Sequence, residues 1–208
     1  MRVFILILIG GLGLPHLALA QLFGGFEAGT YGLSESPTVR QPGQLRLRHN
    51  GELSVKTSDG KILQLKPGQV AWYQADGRKF VSLRNLYLRN GGLDGVNIDH
   101  AFCEQLDSGR VMVLRLEYTT GAGFGGETSV SAYVLRNGSS GAPVVVQRGT
   151  FSSGGRNFRE AVQPFLAARP EFLRYLEEKR INIENLGQVL FALNHNLSFT
   201  PPSALNME

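Results

Sequence analysis

Alternating apolar and polar residues fill the first two thirds of the chain and predict a series of short β-strands. Gln44–Arg48 has the two-residue period of a half-buried strand. Leu53 and Val55 continue that period after an Asn-Gly sequence, which suits a tight hairpin turn. Further turn sequences follow at short, regular intervals, so antiparallel β-structure is predicted over about residues 26–150. One apolar run, Val111–Leu114, does not alternate and is predicted to be a central strand buried on both faces.

The period changes to that of amphipathic helices near residue 156, and two or three helices are predicted over residues 156–196. Pro164 is expected to kink the first helix, whereas Pro170 suits the first turn of the second. Asn182 is expected to cap a third helix. The apolar stripe of that helix consists of Ile183, Leu186, Val189, Leu190 and Leu193.

These patterns predict an α+β fold in which an antiparallel β-sheet, formed as a sandwich or a partial barrel, carries two or three C-terminal helices. Residues 21–196 are expected to form a single domain, because that length suits one unit with a sizeable core. Residues 197–208 are expected to form a frayed tail.

The first twenty residues have the layout of a secretory signal peptide. Arg2 supplies a positive charge, Val3–Leu14 is apolar, and Ala18–Ala20 has the small-x-small pattern of a cleavage site. The alternative is an uncleaved membrane anchor, but a spanning helix needs ~20 apolar residues and this core has roughly a dozen. We therefore expect an exported protein, periplasmic or extracellular, whose mature chain starts at Gln21 and has no transmembrane span.

Composition narrows the class of protein further. Hydrophobic residues make up 42% of the chain and charged residues 18%, which is typical of a globular protein. The net charge of +4 comes from basic residues that are scattered along the sequence, so a nucleic-acid-binding face is not expected. Cys103 is the single cysteine, which excludes an internal disulfide, and it is expected to be a small buried hydrophobe.

Two loop motifs resemble known chemistry only superficially. Gly121–Gly126 contains G-x-G-x-x-G, but a strand rather than a helix is predicted to follow it, so it is interpreted as a hairpin loop that binds no nucleotide. The segment around Ser139 and Ser140 lacks the G-x-S-x-G form of a nucleophile elbow. No cofactor is expected.

His100, Glu104 and Glu117 are the candidates for acid–base or metal chemistry. His100 and Glu104 share one face of a predicted strand, about two strand repeats apart. An ordinary surface or core-edge position is the favoured interpretation for them. The aromatic pair Trp72–Tyr73 and Tyr87 could offer a stacking platform, but core and cross-strand positions are more typical of such residues. No catalytic, cofactor-binding or metal-ligating residue is therefore assigned.

The order of several short segments resembles a group of uncharacterised exported proteins that is common in Bacteroidota. The resemblance covers about residues 26–196, and the order of the segments is more specific than any one of them. The segments are Gly43–Leu45, Val55–Lys56, Asp59–Lys61, Pro67–Val70, Trp72–Tyr73, Phe102–Gly109, Tyr133–Arg136, Gly154–Arg159, Arg169–Glu171, Asn185–Leu186 and Leu193–Asn194. It implies an exported β-domain with a helical end and carries over no catalytic residues.

Two functional hypotheses remain. The favoured one is a non-enzymatic envelope or secreted domain that binds an unidentified partner or has a structural role. The alternative is a hydrolase or metal-dependent enzyme whose residues, such as His100, Glu104 and Glu117, come together from distant strands. Clustering of these three side chains in a cleft would favour the enzyme, and their dispersal would favour binding.

The position of signal-peptide cleavage can be tested directly. We expect the secreted protein to begin at Gln21, because Ala18 and Ala20 satisfy the cleavage pattern. The intact mass of protein recovered from the periplasm or the medium measures this, and a mass that retains residues 1–20 would contradict it.

Overall fold

Ten strands and three helices form the structure, a computed structural model that describes residues 25–89, 95–122, 126–138, 141–147 and 155–201. The strands are β1 Glu27–Leu33, β2 Ser36–Leu47, β3 Leu53–Lys56, β4 Ile62–Leu65, β5 Val70–Ala75, β6 Arg78–Arg89, β7 Gly95–Asp107, β8 Val111–Ala122, β9 Gly126–Asn137 and β10 Val144–Gln147. The helices are α1 Arg156–Leu166, α2 Pro170–Glu177 and α3 Leu186–Asn194, and a short 3₁₀ turn covers Pro67–Gln69. The predicted α+β class, with an antiparallel sheet and C-terminal helices, is confirmed.

All ten strands belong to one open antiparallel sheet in the order β10-β9-β8-β7-β6-β5-β1-β2-β3-β4. Hairpins connect β1 to β4 in sequence and β5 to β10 in sequence, and the two halves join where β5 pairs with β1. The β5–β6 hairpin has a two-residue turn in which Asp76 and Gly77 have φ angles of 49° and 69°. A turn with two positive φ angles has the same twist as the flanking strands, and Asp-Gly is one of the residue pairs that adopt such angles readily.

Three groups of buried side chains pack against this sheet. The aromatic cluster lies on one face, called the front, and contains Tyr31, Leu45, Leu53, Val55, Val70, Tyr73, Phe80 and Phe102. The helix-covered cluster joins front-face residues of β8–β10 to all three helices. The rear cluster lies on the opposite face and contains Leu83, Leu86, Leu88, Cys103, Leu114, Leu116 and Val134.

Strand β8 is buried on both faces, as its unbroken apolar run predicts. Val111 and Val113 belong to the helix-covered cluster, whereas Leu114 and Leu116 belong to the rear cluster. A flat sheet would hold β10 and β6, four positions apart, roughly 19 Å from each other. The two strands nevertheless approach closely, so this half of the sheet curls around the rear cluster as a partial barrel does.

Asn85 marks a change of direction within β6. Leu83 and Leu86 are three residues apart, yet both belong to the rear cluster. The left-handed conformation of Asn85, with φ of 57°, breaks the alternation between them. Asparagine is one of the few non-glycine residues that adopts this conformation readily.

The helices follow the predicted periodicity, with one correction at the start of the third. α1 continues for two residues beyond Pro164, and Pro170 begins α2 as predicted. The prediction that Asn182 caps the third helix is wrong, because α3 begins at Leu186. The Asn182 side chain instead accepts hydrogen bonds from the backbone N–H groups of Glu184 and Asn185, and thus closes a turn before the helix.

The predicted frayed tail is wrong for residues 197–201. Phe199 meets the ring of Phe172 edge to face at 6.2 Å, and Pro201 is buried. Arg180 also donates a hydrogen bond to the carbonyl of Pro201. Apolar and polar contacts therefore hold the chain to the helices past residue 196. None of the helices in the described ranges has the length and apolar character needed to cross a membrane.

Leu190 tests whether α3 packs as core. Its side chain is 0% exposed within the helix-covered cluster, so Leu190→Ala should lower the free energy of unfolding by roughly 2–5 kcal/mol. Leu190→Asp should cost more, because it buries an unpaired charge. Phe191→Ala is the matched control, since Phe191 on the same helix is 49% exposed. Urea denaturation measures these differences, and a change under about 0.5 kcal/mol for Leu190→Ala would refute core packing.

Candidate functional site

A row of directly opposed side chains crosses the front face of the sheet from β1 to β10. Residues that oppose each other across antiparallel strands point to the same face, so the row forms a continuous surface. Its members are Tyr31, Tyr73, Phe80, Glu104, Arg115, Tyr133 and Val146. The aromatic cluster lies at one end of the row and the helix-covered cluster at the other, with a charged pair between them.

That charged pair belongs to a larger network, the charged strip, formed by Arg78, Glu104, Arg115 and Glu117. Glu104 accepts two hydrogen bonds from Arg78, at 2.7 and 2.6 Å, and a third from Arg115. Arg115 also lies 3.3 Å from Glu117, measured from Nε to the carboxylate oxygen. Arg78 is stacked over the Phe80 ring at 5.1 Å, so the strip adjoins the aromatic cluster directly.

The two carboxylates of the charged strip have opposite pKa shifts. Burial of Glu104 opposes its ionisation, but the hydrogen bonds from Arg78 and Arg115 outweigh burial and hold the pKa of its carboxyl below the ordinary value. Burial raises the pKa of Glu117, and the attraction of Arg115 offsets only part of that effect. Glu104 therefore acts as a charged anchor between two arginines.

His100 does not join the charged strip, although it shares the front face with Glu104. Its ring lies against Gly68 of the 3₁₀ turn, where an added Cβ would be 3.2 Å from the imidazole Nε2. Of the three candidates for acid–base or metal chemistry, the structure thus brings Glu104 and Glu117 together through Arg115. The third, His100, lies apart from them. Across the described part of the chain, no group of three histidine, cysteine or acidic side chains is placed to hold a metal ion.

The aromatic residues do not form the stacking platform that the sequence allowed. Tyr73 is buried between Phe80, stacked at 4.5 Å, and the edge of Phe102 at 5.0 Å. Trp72 is on the adjacent position of β5 and donates a hydrogen bond to the carbonyl of Pro37. Tyr87 is half exposed and covers Gly95, where an added Cβ would lie 2.3 Å from the phenol oxygen.

Cys103 is buried, and burial raises the pKa of its thiol to about 12, so it remains protonated at neutral pH. The expectation of a small buried hydrophobe is confirmed. The glycine motif leads from β8 into β9, so a strand does follow it, although residues 123–125 lie outside the described residues. Ser139 and Ser140 also lie outside them.

Asp107 belongs to a group of polar contacts between the end of α3 and the β7–β8 turn, which the sequence did not predict. Asn194 accepts a hydrogen bond from the Val111 N–H at 2.9 Å and donates to the Val111 carbonyl at 2.7 Å and to Asp107 at 2.9 Å. His195 Nε2 lies 3.1 Å from the other Asp107 oxygen and beside the Phe191 ring. These contacts fix the end of α3 to the β7–β8 turn, and more than eighty residues of sequence separate the two sides.

The excess of basic over acidic residues lies in one continuous segment of the chain, which forms one end of the sheet. Residues 36–66, which form β2 to β4, carry six basic and two acidic side chains, a net charge of +4. The remaining residues carry fifteen of each sign and are balanced. An open groove at this end is lined by Arg46–Asn50. We call β2–β4 with this groove the basic end.

Strand β4 is the outermost strand of the basic end. Within the described ranges, β3 is its only strand partner. Ile62 is 53% exposed and Leu63 is 39% exposed, although both are large apolar residues. The basic end therefore combines excess positive charge with an unpaired, partly apolar strand edge, which neither the charge count nor the strand pattern alone indicated.

Comparison of the chain with protein-family models, with curated proteins and with solved structures finds no match. The charged strip and the basic end are thus defined by the geometry of this molecule alone.

The charged strip predicts an acid-dependent loss of stability. Glu104→Gln should lower the free energy of unfolding at neutral pH by about 1 kcal/mol, because two partly exposed arginines lose their charged partner. Since the pKa of Glu104 is lowered in the folded state, its contribution is present above the ordinary glutamate value of about 4.3 and disappears as the pH falls through the lowered value. The difference between wild type and variant in urea denaturation should therefore narrow at acid pH.

Glu117→Gln is the matched control with the opposite sign. The raised pKa of Glu117 stabilises the fold below the ordinary glutamate value, and that contribution is lost as the pH rises through the raised value. This variant should gain stability relative to wild type as the pH rises. Parallel pH profiles for the two variants would show that the carboxylates do not have the environments described.

Proposed function

We propose that this protein is an exported, non-enzymatic domain of the envelope or the extracellular space, and that it holds an anionic partner at the basic end. The observation that carries this proposal is the coincidence of two features on β2–β4. This segment holds the whole net positive charge of the chain, and its last strand has an unpaired edge with exposed apolar side chains. The signal-peptide layout of residues 1–20 supports export.

Charge concentrated on one end of a domain favours association with a partner of opposite sign. Complementary charges increase the rate of encounter and suppress wrong partners. Exposed apolar side chains beside the charges add apolar surface that a partner can bury on binding. Arg46, Arg48 and His49 lie in the groove, and Lys56, Lys61 and Lys66 flank the strands beside it.

The charged strip supports a structural interpretation of the predicted acid–base residues. Glu104 is occupied by Arg78 and Arg115, and the four charges of the strip balance one another. The alternative hydrolase would need His100 in the same cleft, but the imidazole lies against Gly68. A binding domain does not require these side chains to lie together in one cleft.

Capture from an envelope extract tests this function, with proteins and glycans both identified. The immobilised mature protein should recover a partner, and the double variant Arg48→Glu/Lys56→Glu should recover several-fold less. The matched control is Arg110→Glu/Arg174→Glu, which changes the net charge equally at exposed positions outside the basic end. Equal recovery by both variants, or turnover of an envelope substrate that depends on Glu104, would contradict the proposal.

A further inference from the structure

We propose that the outer edge of β4 receives an extended acidic segment of a partner protein, which pairs with it as an eleventh strand of the sheet. This inference rests on the proposed function and adds the class of partner and the manner of binding. Addition of a strand to an open sheet edge is a common mode of peptide recognition, in which backbone hydrogen bonds supply affinity and side chains supply specificity.

The hydrogen bonds around the β3–β4 turn show which backbone groups face outward. The Thr57 N–H donates to the Lys61 carbonyl, so this pair occupies a hydrogen-bonded position at the end of the hairpin ladder. Because such pairs alternate along an antiparallel ladder, Leu63 and Leu65 also bond to β3. The N–H and C=O groups of Ile62 and Gln64 therefore point away from β3, toward the position of an added strand.

The two edges of the sheet differ in how they are covered. At the other end, α1 packs against β10, and the curl of the sheet brings β10 close to β6. Natural proteins usually cover, twist or charge their edge strands, because an open edge pairs with other chains. Among the described residues, β3 is the only strand that pairs with β4, and Ile62 and Leu63 remain exposed.

The side chains of β4 define the chemistry of the incoming strand. Ile62 and Leu63 are consecutive and project to opposite faces, so apolar contacts are available on both sides of an added strand. Lys61 and Lys66 flank β4, and Lys56 lies opposite Ile62 on β3. Lys61 contacts Asp59 in an exposed ion pair, and such pairs are weak enough for Lys61 to exchange Asp59 for another carboxylate. An apolar strand with acidic ends matches this surface.

A second copy of the chain is a poor match for the edge of β4. Pairing of β4 with β4 of another copy would bring two sets of lysines, Lys61 and Lys66, into one short ladder. Like charges at neighbouring positions of a sheet are destabilising. The charges that favour an acidic partner therefore disfavour self-association.

A synthetic peptide tests the inference on the folded mature protein. The probe alternates valine and threonine between two pairs of glutamates, and binding is followed by fluorescence anisotropy. One control peptide replaces the glutamates with lysines, and a second carries N-methyl groups on every central residue, which removes the N–H donors of both of its edges. We expect the acidic peptide to bind, with an affinity that falls as salt rises, and both control peptides to bind at least about tenfold more weakly.

Protein variants separate backbone pairing from charge. Ile62→Pro removes an outward N–H at the first residue of an edge strand, a position that tolerates proline, and Ile62→Thr is the matched variant that keeps the N–H. Ile62→Pro should bind the acidic peptide about tenfold more weakly than Ile62→Thr. Lys61→Glu/Lys66→Glu should weaken binding to a similar extent. If Ile62→Pro fails to fold, the N-methylated peptide still tests pairing on the wild-type protein.

Three results would overturn the inference. Equal binding of the acidic and N-methylated peptides would mean attraction by charge without strand pairing. Preferential binding to vesicles of phosphatidylglycerol or to an anionic polysaccharide, unaffected by Ile62→Pro, would assign the surface to a different class of partner. A dimer in sedimentation analysis that Ile62→Pro dissolves would identify a second copy as the occupant. Charge-dependent capture from envelope extract could persist in the first two cases, so the proposed function would stand while this inference fails.

Discussion

Strand β8 has to be covered on both of its faces, and the rest of the architecture depends on that requirement. Val111 and Val113 are covered by the three helices, and Leu114 and Leu116 by the curl of the sheet. Each fully buried aliphatic side chain contributes about 1.5–3 kcal/mol relative to exposure, so leaving either face open would be costly. Asn194 fastens the helical layer to the Val111 backbone, which secures the cover at the end of the strand.

The charged strip lies on the front face, between the aromatic cluster and the helix-covered cluster. The aromatic cluster ends at Phe80 and the helix-covered cluster begins near Tyr133, and Glu104 and Arg115 occupy the positions between them. A carboxylate in this position loses much of its hydration, and only the two arginine partners make its ionised form favourable. Such an arrangement fixes the register of β6, β7 and β8, since a shift of one residue would separate the charges.

The curl of the sheet and helix α1 cover the edge at β10, whereas no strand of the described chain pairs with the outer edge of β4. Lysines at both ends of β4 discourage pairing with other apolar edges, while they leave the edge open to a strand of opposite charge. The same residues can therefore protect against aggregation and select a partner. Ile62 is exposed and belongs to none of the buried clusters, so changes at this position of β4 are expected to affect binding with little effect on stability.

Local patterns in the sequence determined the strands, most turns, the helices and the burial of Val111–Leu114 on both faces, because these depend on periodicity over a few residues. Periodicity could not place the start of α3, since two asparagines precede it and each side chain accepts a hydrogen bond from the backbone N–H of the other, Asn182 from Asn185 and Asn185 from Asn182. Tertiary structure alone decided that Glu104 meets Arg78 and Arg115, and that Asp107 meets Asn194 across more than eighty residues. It also placed the basic segment 36–66 at an edge of the sheet, a position that the sequence could not distinguish from a central one. These outcomes depend on which strands become neighbours and on how α3 packs against the sheet, and no short-range pattern of polar and apolar residues encodes either.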